Sequence, residues 1–465
     1  MSSLFASLSV AREALRAQQA ALSVTQNNIA NVNTPGYTRQ RATLVAGPPV
    51  ALAEYQSGMG VRLESIDAYR DRLLDCRLNQ ELQRKAEYEY AAVALEQVES
   101  ILNEHAGSGL QAALSAFFNS FASLANAPED ASLRQQVLAS AGRLAAAFRS
   151  VYEQIQSVRA MQERTIADTV EEINTLAAAI ARLNGEVVAA QAVGGNVSTL
   201  RDQRQQLVDR LAQLTDVTYF ETESGALTVM TRQGALLAVG TQSYAWQTTS
   251  GPDGLTRITA EGADITAGIE SGKLGGLLQV RDRHIADYLA RLDDLAAAII
   301  AEVNAQHAAG VDMDGLAGGA FFTPFTPIVP GSNLGAARSM SVAITDTDRI
   351  AAAAAGAGPG SNANAVRLSA LQNELRMAGG TLSFVQYYAD LVFRVGLDTR
   401  TVGDNLGIQE QLLAQLQNQR DALSGVSLDE EAVDLLRYQK AYEANARFIR
   451  LVDDLTEELL QLLGG

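Results

Sequence analysis

The two ends of this chain carry matching apolar seams, and neither seam can be buried by a lone helix. Leu4, Leu8, Ala11, Leu15, Leu22 and Ile29 fall at alternating intervals of three and four, with Gln18 and Thr25 as polar interruptions. Near the C-terminus, Leu435, Tyr438, Ala441, Phe448, Val452, Leu455, Leu459 and Leu462 repeat the pattern, with Asn445 inside the stripe. Residues 1–49 hold four arginines against Glu13, a net of +3. Residues 426–465 hold nine acids and four bases, a net of −5. Opposite charge favours pairing of the ends, but screened surface attraction is weak, so the seams must supply most of the energy. Two interruptions in one seam place Gln18 and Thr25 at the rim of a rotated face. Asn445 fits either the seam, where it would fix register, or its rim.

At 465 residues the chain exceeds one core and implies two to four domains. Ala dominates its apolar content, and aromatics are only 6%. Such composition suits long, close-packed helices. A net charge of −17 argues against nucleic acid. The single Cys76 excludes an internal disulfide framework and fits a half-buried helical position. No apolar run is long enough to predict membrane insertion, and charged residues interrupt the N-terminal stretch where a cleaved leader would need an apolar one. Taken alone, that predicts a cytoplasmic protein.

The first helix ends at Asn31-Val32-Asn33-Thr34-Pro35-Gly36-Tyr37, where Pro35-Gly36 fits the centre of a type II turn. An extended stretch then runs to about Val50. Helices are expected from about Ser65 to Glu104, from Asp130 to about Asn184, and from Val197 through Leu214. At Val217 the period changes to alternation with glycine turns, which predicts a small β-rich insert to about Thr266. Helix returns over residues 271–308. Residues 310–362 read as loops with one strand at Met340–Ile344 and a surface loop at Ala351–Gly360. Helices resume from Asn364 to about Leu423, and Ser427 with Glu430 opens the last one. The fold class is therefore mainly α: a long-helix bundle rod of paired N- and C-terminal segments with a small β-rich insert. Its expected divisions are a terminal coiled-coil unit (1–45 with 426–465), a helical body (46–215 with 268–425) and the insert (216–267).

Chemistry is sparse. His105, His284 and His307 are scattered, and His307, one turn after Asn304, suits a local hydrogen-bonding role. Gly310-Val311-Asp312-Met313-Asp314-Gly315 resembles part of a calcium loop, but Gly310 stands at the first ligand position and Phe321 at the bidentate one. It reads as a turn whose carboxylates cap nearby amides. No nucleotide, nucleophile or paired-cysteine motif is present, so neither catalysis, cofactor nor metal is expected.

Asn28-Ile29-Ala30-Asn31-Val32-Asn33-Thr34-Pro35-Gly36-Tyr37-Thr38-Arg39 resembles the N-terminal signature of flagellar rod, hook and hook-associated axial proteins. Ser424–Glu431 through Tyr438–Arg447 resembles the C-terminal half of that signature. Leu200-Arg201-Asp202-Gln203-Arg204, Leu274-Gly275-Gly276-Leu277-Leu278 and Asn304-x-x-His307-x-x-Gly310-x-Asp312-x-x-Gly315 leading to Phe321-Phe322 are similar to the hook-associated, hook–filament junction branch. The stretch after Phe322 lacks the second β insert of some relatives.

The resemblance implies a structural adaptor at the distal end of the hook, joining hook to filament. It implies helical axial assembly with copies of itself, hook protein below and a second junction protein above. Export would use the flagellar type III apparatus without a cleaved leader, placing the protein outside the cell, and a cytoplasmic chaperone would hold the C-terminal helix. Expected subunit-interface residues are Leu4, Leu8, Leu15, Leu22, Ile29, Asn31, Thr34, Pro35, Gly36 and Tyr37. At the other end Leu435, Tyr438, Tyr442, Asn445, Phe448, Val452, Leu455 and Leu459 would serve both the interface and the chaperone. The alternatives are another axial subunit, or a glycan- or host-binding insert carried on a flagellar frame, against which stands its one close aromatic pair, Tyr244 and Trp246.

Overall fold

The computed structural model describes residues 2–47, 50–52, 55–57, 60–103, 109–327 and 329–463. The chain opens with helix α1 (Ser2–Ala30), followed by strands β1 (Gln40–Ala46), β2 (Val50–Leu52), β3 (Tyr55–Ser57) and β4 (Val61–Ala68). Strand β4 pairs antiparallel with β1, with a register shift between Thr43 and Leu44. The helix expected from about Ser65 therefore starts only at Arg72. Alternation of Val61, Leu63 and Ser65 with charged neighbours is a strand period, and Asp71 caps the helix by accepting from the amides of Leu73 and Leu74.

Four helices follow: α2 (Arg72–Leu102), α3 (Leu110–Leu124), α4 (Ala131–Ala192) and α5 (Ser198–Leu214). At 62 residues α4 is about 93 Å long and forms the beam of the molecule. Asp130 caps it through the amides of Ser132 and Leu133. Its first half joins an aromatic-rich core with α3, Phe321, Phe322 and Phe384, and its second half joins a separate core with α5 and the insert.

The insert comprises β5 (Thr218–Glu221), β6 (Leu227–Met230), β7 (Leu236–Val239), β8 (Gln242–Ser243), β9 (Trp246–Ser250), β10 (Thr256–Ala260) and β11 (Ala263–Asp264). They form one four-stranded and one three-stranded antiparallel sheet. Trp246 is buried, its indole N–H donating to Leu236 O at 3.1 Å, so it offers no exposed aromatic platform.

The body resumes with α6 (Gly272–Gln279), a π turn at Val280–His284 and α7 (Ile285–Ala308). A Cβ on Gly276 would lie 2.3 Å from Glu87 O, so this glycine lets α6 pack directly on the backbone of α2, while a Cβ on Gly275 would meet the backbone of Glu270. Short elements come next: β12 (Gly310–Val311), α8 (Ala336–Ser339), β13 (Ala353–Ala354) and α9 (Ala363–Ala370). The strand expected at Met340–Ile344 is reduced to one bridge between Phe322 and Val342, because Met340 turns into the core. Ala351, Ala352 and Ala353 are buried too, and only the glycine-rich remainder of that loop is at the surface. Finally α10 (Phe384–Ser424) lies antiparallel along α2, and α11 (Leu428–Leu463) returns beside α1.

Candidate functional site

The separate sequence motifs meet where α1 and α11 join the body. Asn31 to Tyr37 forms the expected turn, with Tyr37 N donating to Thr34 O at 3.2 Å and Gly36 at φ +75°. That turn delivers Tyr37, Thr38, Arg39 and Gln40 back against α1, where Asn28 is buried. Asn28 uses its amide completely. Its Nδ2 donates to Gln40 O at 2.8 Å and to Glu431 Oε2 at 3.0 Å. Its Oδ1 accepts from Gln40 N at 3.0 Å and from the Tyr37 hydroxyl at 2.8 Å.

Glu431, only 2% exposed, also accepts from Arg39 Nε at 2.7 Å, while Glu430 pairs with the same guanidinium. Burial, with Asp202 and Glu431 nearby, pushes the Tyr37 phenol up to about 12, so it remains a proton donor to Asn28. The backbone of Arg39 donates to Ser424 O at 3.0 Å and accepts from Tyr69 N at 2.9 Å. From α5, Asp202 accepts from Thr38 N at 3.2 Å and from Arg70, and Gln206 donates to Pro35 O at 2.8 Å. Arg204, two residues on, is buried and holds Asn184 Oδ1 and Gly225 O, both at 2.8 Å.

Along the antiparallel α1–α11 pair the seam differs from the expected one. Ala11 and Thr25 are buried as part of it, but Ala14, Ala21 and Asn28 replace Leu15, Leu22 and Ile29 on the inner line. Small side chains permit close approach to α11 and to the β1–β4 hairpin, leaving Leu8, Leu15, Leu22 and Ile29 half-buried along the edge. Thr25 is buried inside the contact instead of at its rim, whereas Gln18 is half-buried. The Asn445 amide donates to Gln18 Oε1 at 2.9 Å, so the polar interruptions of the two seams pair with each other and fix their register.

On α11, Val452 is buried and Leu435, Tyr438 and Asn445 are half-buried. Tyr442, Phe448 and Leu455 are exposed, at 37%, 43% and 43%. Asn31 and Tyr37 are half-buried, and Thr34, Pro35 and Gly36 are exposed. The side chains of Leu4 and Leu459 lie outside the described residues.

The other motifs serve the core. Asn304 Oδ1 accepts from the amides of Phe321 and Phe322, both at 2.8 Å. His307 lies between Gly319 O and Ala351 N, and its burial lowers its pKa, favouring the neutral ring. Asp312 accepts from the amides of Asp314 and Leu316 and pairs with Arg349, so the calcium-like segment is a capped turn. Cys76 is half-buried. Among the described residues, no cluster of three or more His, Cys, Asp or Glu could hold a metal, and no helix is long and apolar enough to cross a membrane.

Sequence reasoning selected the turn and the two seams but not Asn28, Arg39, Glu431 or Asp202 as the residues that tie them together. All four lay inside quoted motifs. The signal was an amide or a charge in a segment otherwise suited to burial.

The same segments are matched in known proteins. The flagellar hook-associated protein FlgK helical domain matches residues 95–322. The flagella basal body rod protein family matches residues 8–38, and the flagellar basal body rod FlgEFG protein C-terminal family matches residues 417–462. Flagellar hook-associated protein 1 of Bacillus subtilis is 31% identical over 509 aligned positions, covering 100% of this chain and 99% of its own. Its Escherichia coli counterpart is 27% identical, with 97% of this chain and 98% of its own covered. The solved flagellar hook junction protein FlgK from Burkholderia pseudomallei superposes with a TM-score of 0.67 at 19% identity, over 75% of this chain and 100% of that one. At that identity it speaks for the fold, while the full-length sequence match speaks for kinship. With both terminal signatures and the helical middle in place, the chain belongs to the flagellar hook-associated protein 1 family.

Proposed function

We propose that this chain is a structural adaptor of the bacterial flagellum that assembles at the distal end of the hook and joins hook to filament. The observation that carries the reading is the half-finished burial of the joined termini. Asn28 and the Asn445–Gln18 bond hold α1 and α11 in one register, yet the edge Leu8, Leu15 and Leu22 stays half-covered. Tyr442, Phe448 and Leu455, with Leu436 and Leu451, face outward. Full burial of a Leu-sized side chain is worth roughly 1.5–3 kcal/mol, so several such residues give a neighbouring copy a substantial contact.

In this reading the exposed turn Thr34–Gly36 and both helical edges are subunit-interface surfaces. The terminal unit, residues 1–45 with 426–465, carries assembly, the body sets the lattice spacing, and the insert faces outward. Hook protein is the partner below and a second junction protein the partner above. Export as an unfolded thread through the flagellar type III apparatus places the subunit outside the cell. Before export a chaperone groove covers the apolar stripe of α11.

The test is complementation of a strain lacking the chain, which should carry hooks without filaments. Wild-type protein restores filaments. Leu455→Asp does not, although the urea transition of the body stays within about 0.5 kcal/mol of wild type, because Leu455 is 43% exposed and belongs to none of the apolar clusters of the body. Normal filaments with Leu455→Asp would overturn the proposed interface.

A further inference from the structure

The body holds two apolar cores that share no residue, and one long helix serves both. From α4, Val137 through Val158 enter the aromatic-rich core, and Ile166 through Ala181 enter the core shared with the insert. The α6–α7 run changes core between Leu278 and Val280, and α2 changes between Tyr90 and Ala91. At the crossing the inward line of α4 reads Val158, Gln162, Ile166, so an amide stands between the two cores. In the α6–α7 run the buried residue at the crossing is Arg281, which pairs with Glu163 at 3.0 Å and with Asp282 and donates to Thr256 O at 2.8 Å. Glu163 accepts from Thr256 N at 2.8 Å. Among the described residues, Gln162 Oε1 and Arg159 Nε are buried without a hydrogen-bond partner.

Three of the four helices that pass this level carry a feature that loosens a helix. In α4, Thr165 Oγ1 donates to Met161 O at 3.0 Å and Thr169 Oγ1 to Thr165 O, a back-bonding that bends helices. In the α6–α7 run the crossing coincides with the π turn at Val280–His284, where the regular ladder is interrupted. In α10, Asp398 accepts from the Tyr288 hydroxyl at 2.6 Å, just past the π turn, and Gly396, Gly403 and Gly407 lie on either side of it. Interior glycines weaken a helix relative to alanine. Apart from their own helix backbone, nothing comes within 4 Å of where a Cβ on Gly403 or Gly407 would stand, so close packing inside the chain does not call for them.

We propose that the level of Gln162 and Arg281 is a bending joint within the body, at which the half holding the aromatic-rich core tilts against the half holding the insert. Interdigitated apolar side chains resist tilting, and here they stop on either side of a polar layer. Opening one edge of that layer brings water to Gln162 and Arg159, which offsets the cost of their unpaired atoms. Arg281, Glu163 and Thr256 stay bonded to one another at the pivot. The joint lies wholly inside the body, so it stands independently of the terminal helices and of the adaptor reading.

The experiment uses the full chain in a Cys76→Ser background, with pairs of spin labels at exposed positions of α4. Ala146→Cys with Ala178→Cys spans the joint, about 48 Å apart along the helix, and Ala139→Cys with Ser157→Cys, about 27 Å apart, lies before it. The spanning pair should give a distance distribution roughly twice as broad as the control pair. Gln162→Met keeps the length of the side chain and joins Val158 to Ile166 in one apolar line. It should narrow the spanning pair to the width of the control without lowering the urea midpoint. A spanning distribution as narrow as the control in the unaltered background overturns the joint. So does a broad one that Gln162→Met leaves unchanged, because its breadth would then not come from the polar layer. If Gln162→Met lowers the urea midpoint or does not fold, Gln162→Leu decides by the same reading.

Discussion

The body and the joined termini use buried residues in opposite ways. In the body, Phe117 is surrounded by Phe118, Phe121, Phe321 and Phe322 with ring centroids 5.1 to 5.7 Å away, and this cluster is closed off from solvent. At the termini the inner line is Ala11, Ala14, Ala17, Ala21, Val24, Thr25 and Asn28, and the larger Leu side chains stay at the edge. A large apolar core is tolerant of direction and makes the body self-sufficient. A small-residue seam with a polar hub buries little area but specifies one register, and it keeps the larger apolar surface available for later contacts. The difference separates stability, held in the body, from assembly geometry, held in the termini.

The largest effect should come from breaking the body. Phe117→Ala leaves a cavity in the aromatic cluster of the core and should cost about 3–5 kcal/mol in urea unfolding. A cost below about 1 kcal/mol would mean that the cluster relaxes around the gap, and the body would then not be the rigid partner in this comparison.

Asn28→Ala should cost less and act elsewhere. It leaves the Tyr37 hydroxyl and both Gln40 backbone groups without their partner, and removes one donor from Glu431. We expect about 2–3 kcal/mol, confined to the ends. Hydrogen exchange should rise across α1 and α11 while α3 and α7 stay protected. Equal acceleration in the body would join what the comparison separates.

Periodicity made the long helices, the insert and the pairing of the two ends legible, and turn chemistry placed Pro35-Gly36 correctly. Helix α3 was missed although Leu110, Leu114, Phe117, Phe121 and Leu124 lie at helical spacing, because its aromatics crowd onto neighbouring faces and blur the stripe. The second half of strand β4, from Ser65, was absorbed into the following helix, since alternation over a few residues can pass for one side of a charged helix. The inner line of α1 was misplaced because Leu signals burial more strongly than Ala, and close approach of two backbones inverts that order. The Asn28–Glu431 bond spans 403 residues and has no local signature at all. Sequence shows what each segment needs to bury, whereas partners for polar atoms emerge only when the chain has closed.

A smaller effect sharpens the comparison through two carboxylates, one buried and one half-buried. Glu431, in the termini, is satisfied by Arg39 and Asn28. Glu87, in the body, lies where α2 meets Gly276 of α6, and burial pushes its pKa from 4.5 to about 7, with Arg84 opposing the shift only in part. A carboxyl raised in the folded state binds its proton more tightly there than in the unfolded chain. Its contribution is therefore intact below about pH 4.5 and is lost as pH rises through about 7. Glu87→Gln keeps the shape and removes the charge, so it should stabilise the body by about 1–2 kcal/mol at pH 8, after discounting for partial solvent access, and by almost nothing at pH 4. Urea midpoints of both proteins at the two pH values measure this. A gain that is the same at both would trace to packing and not to the charge, and would remove the contrast between an acid that the termini satisfy and one that the body tolerates.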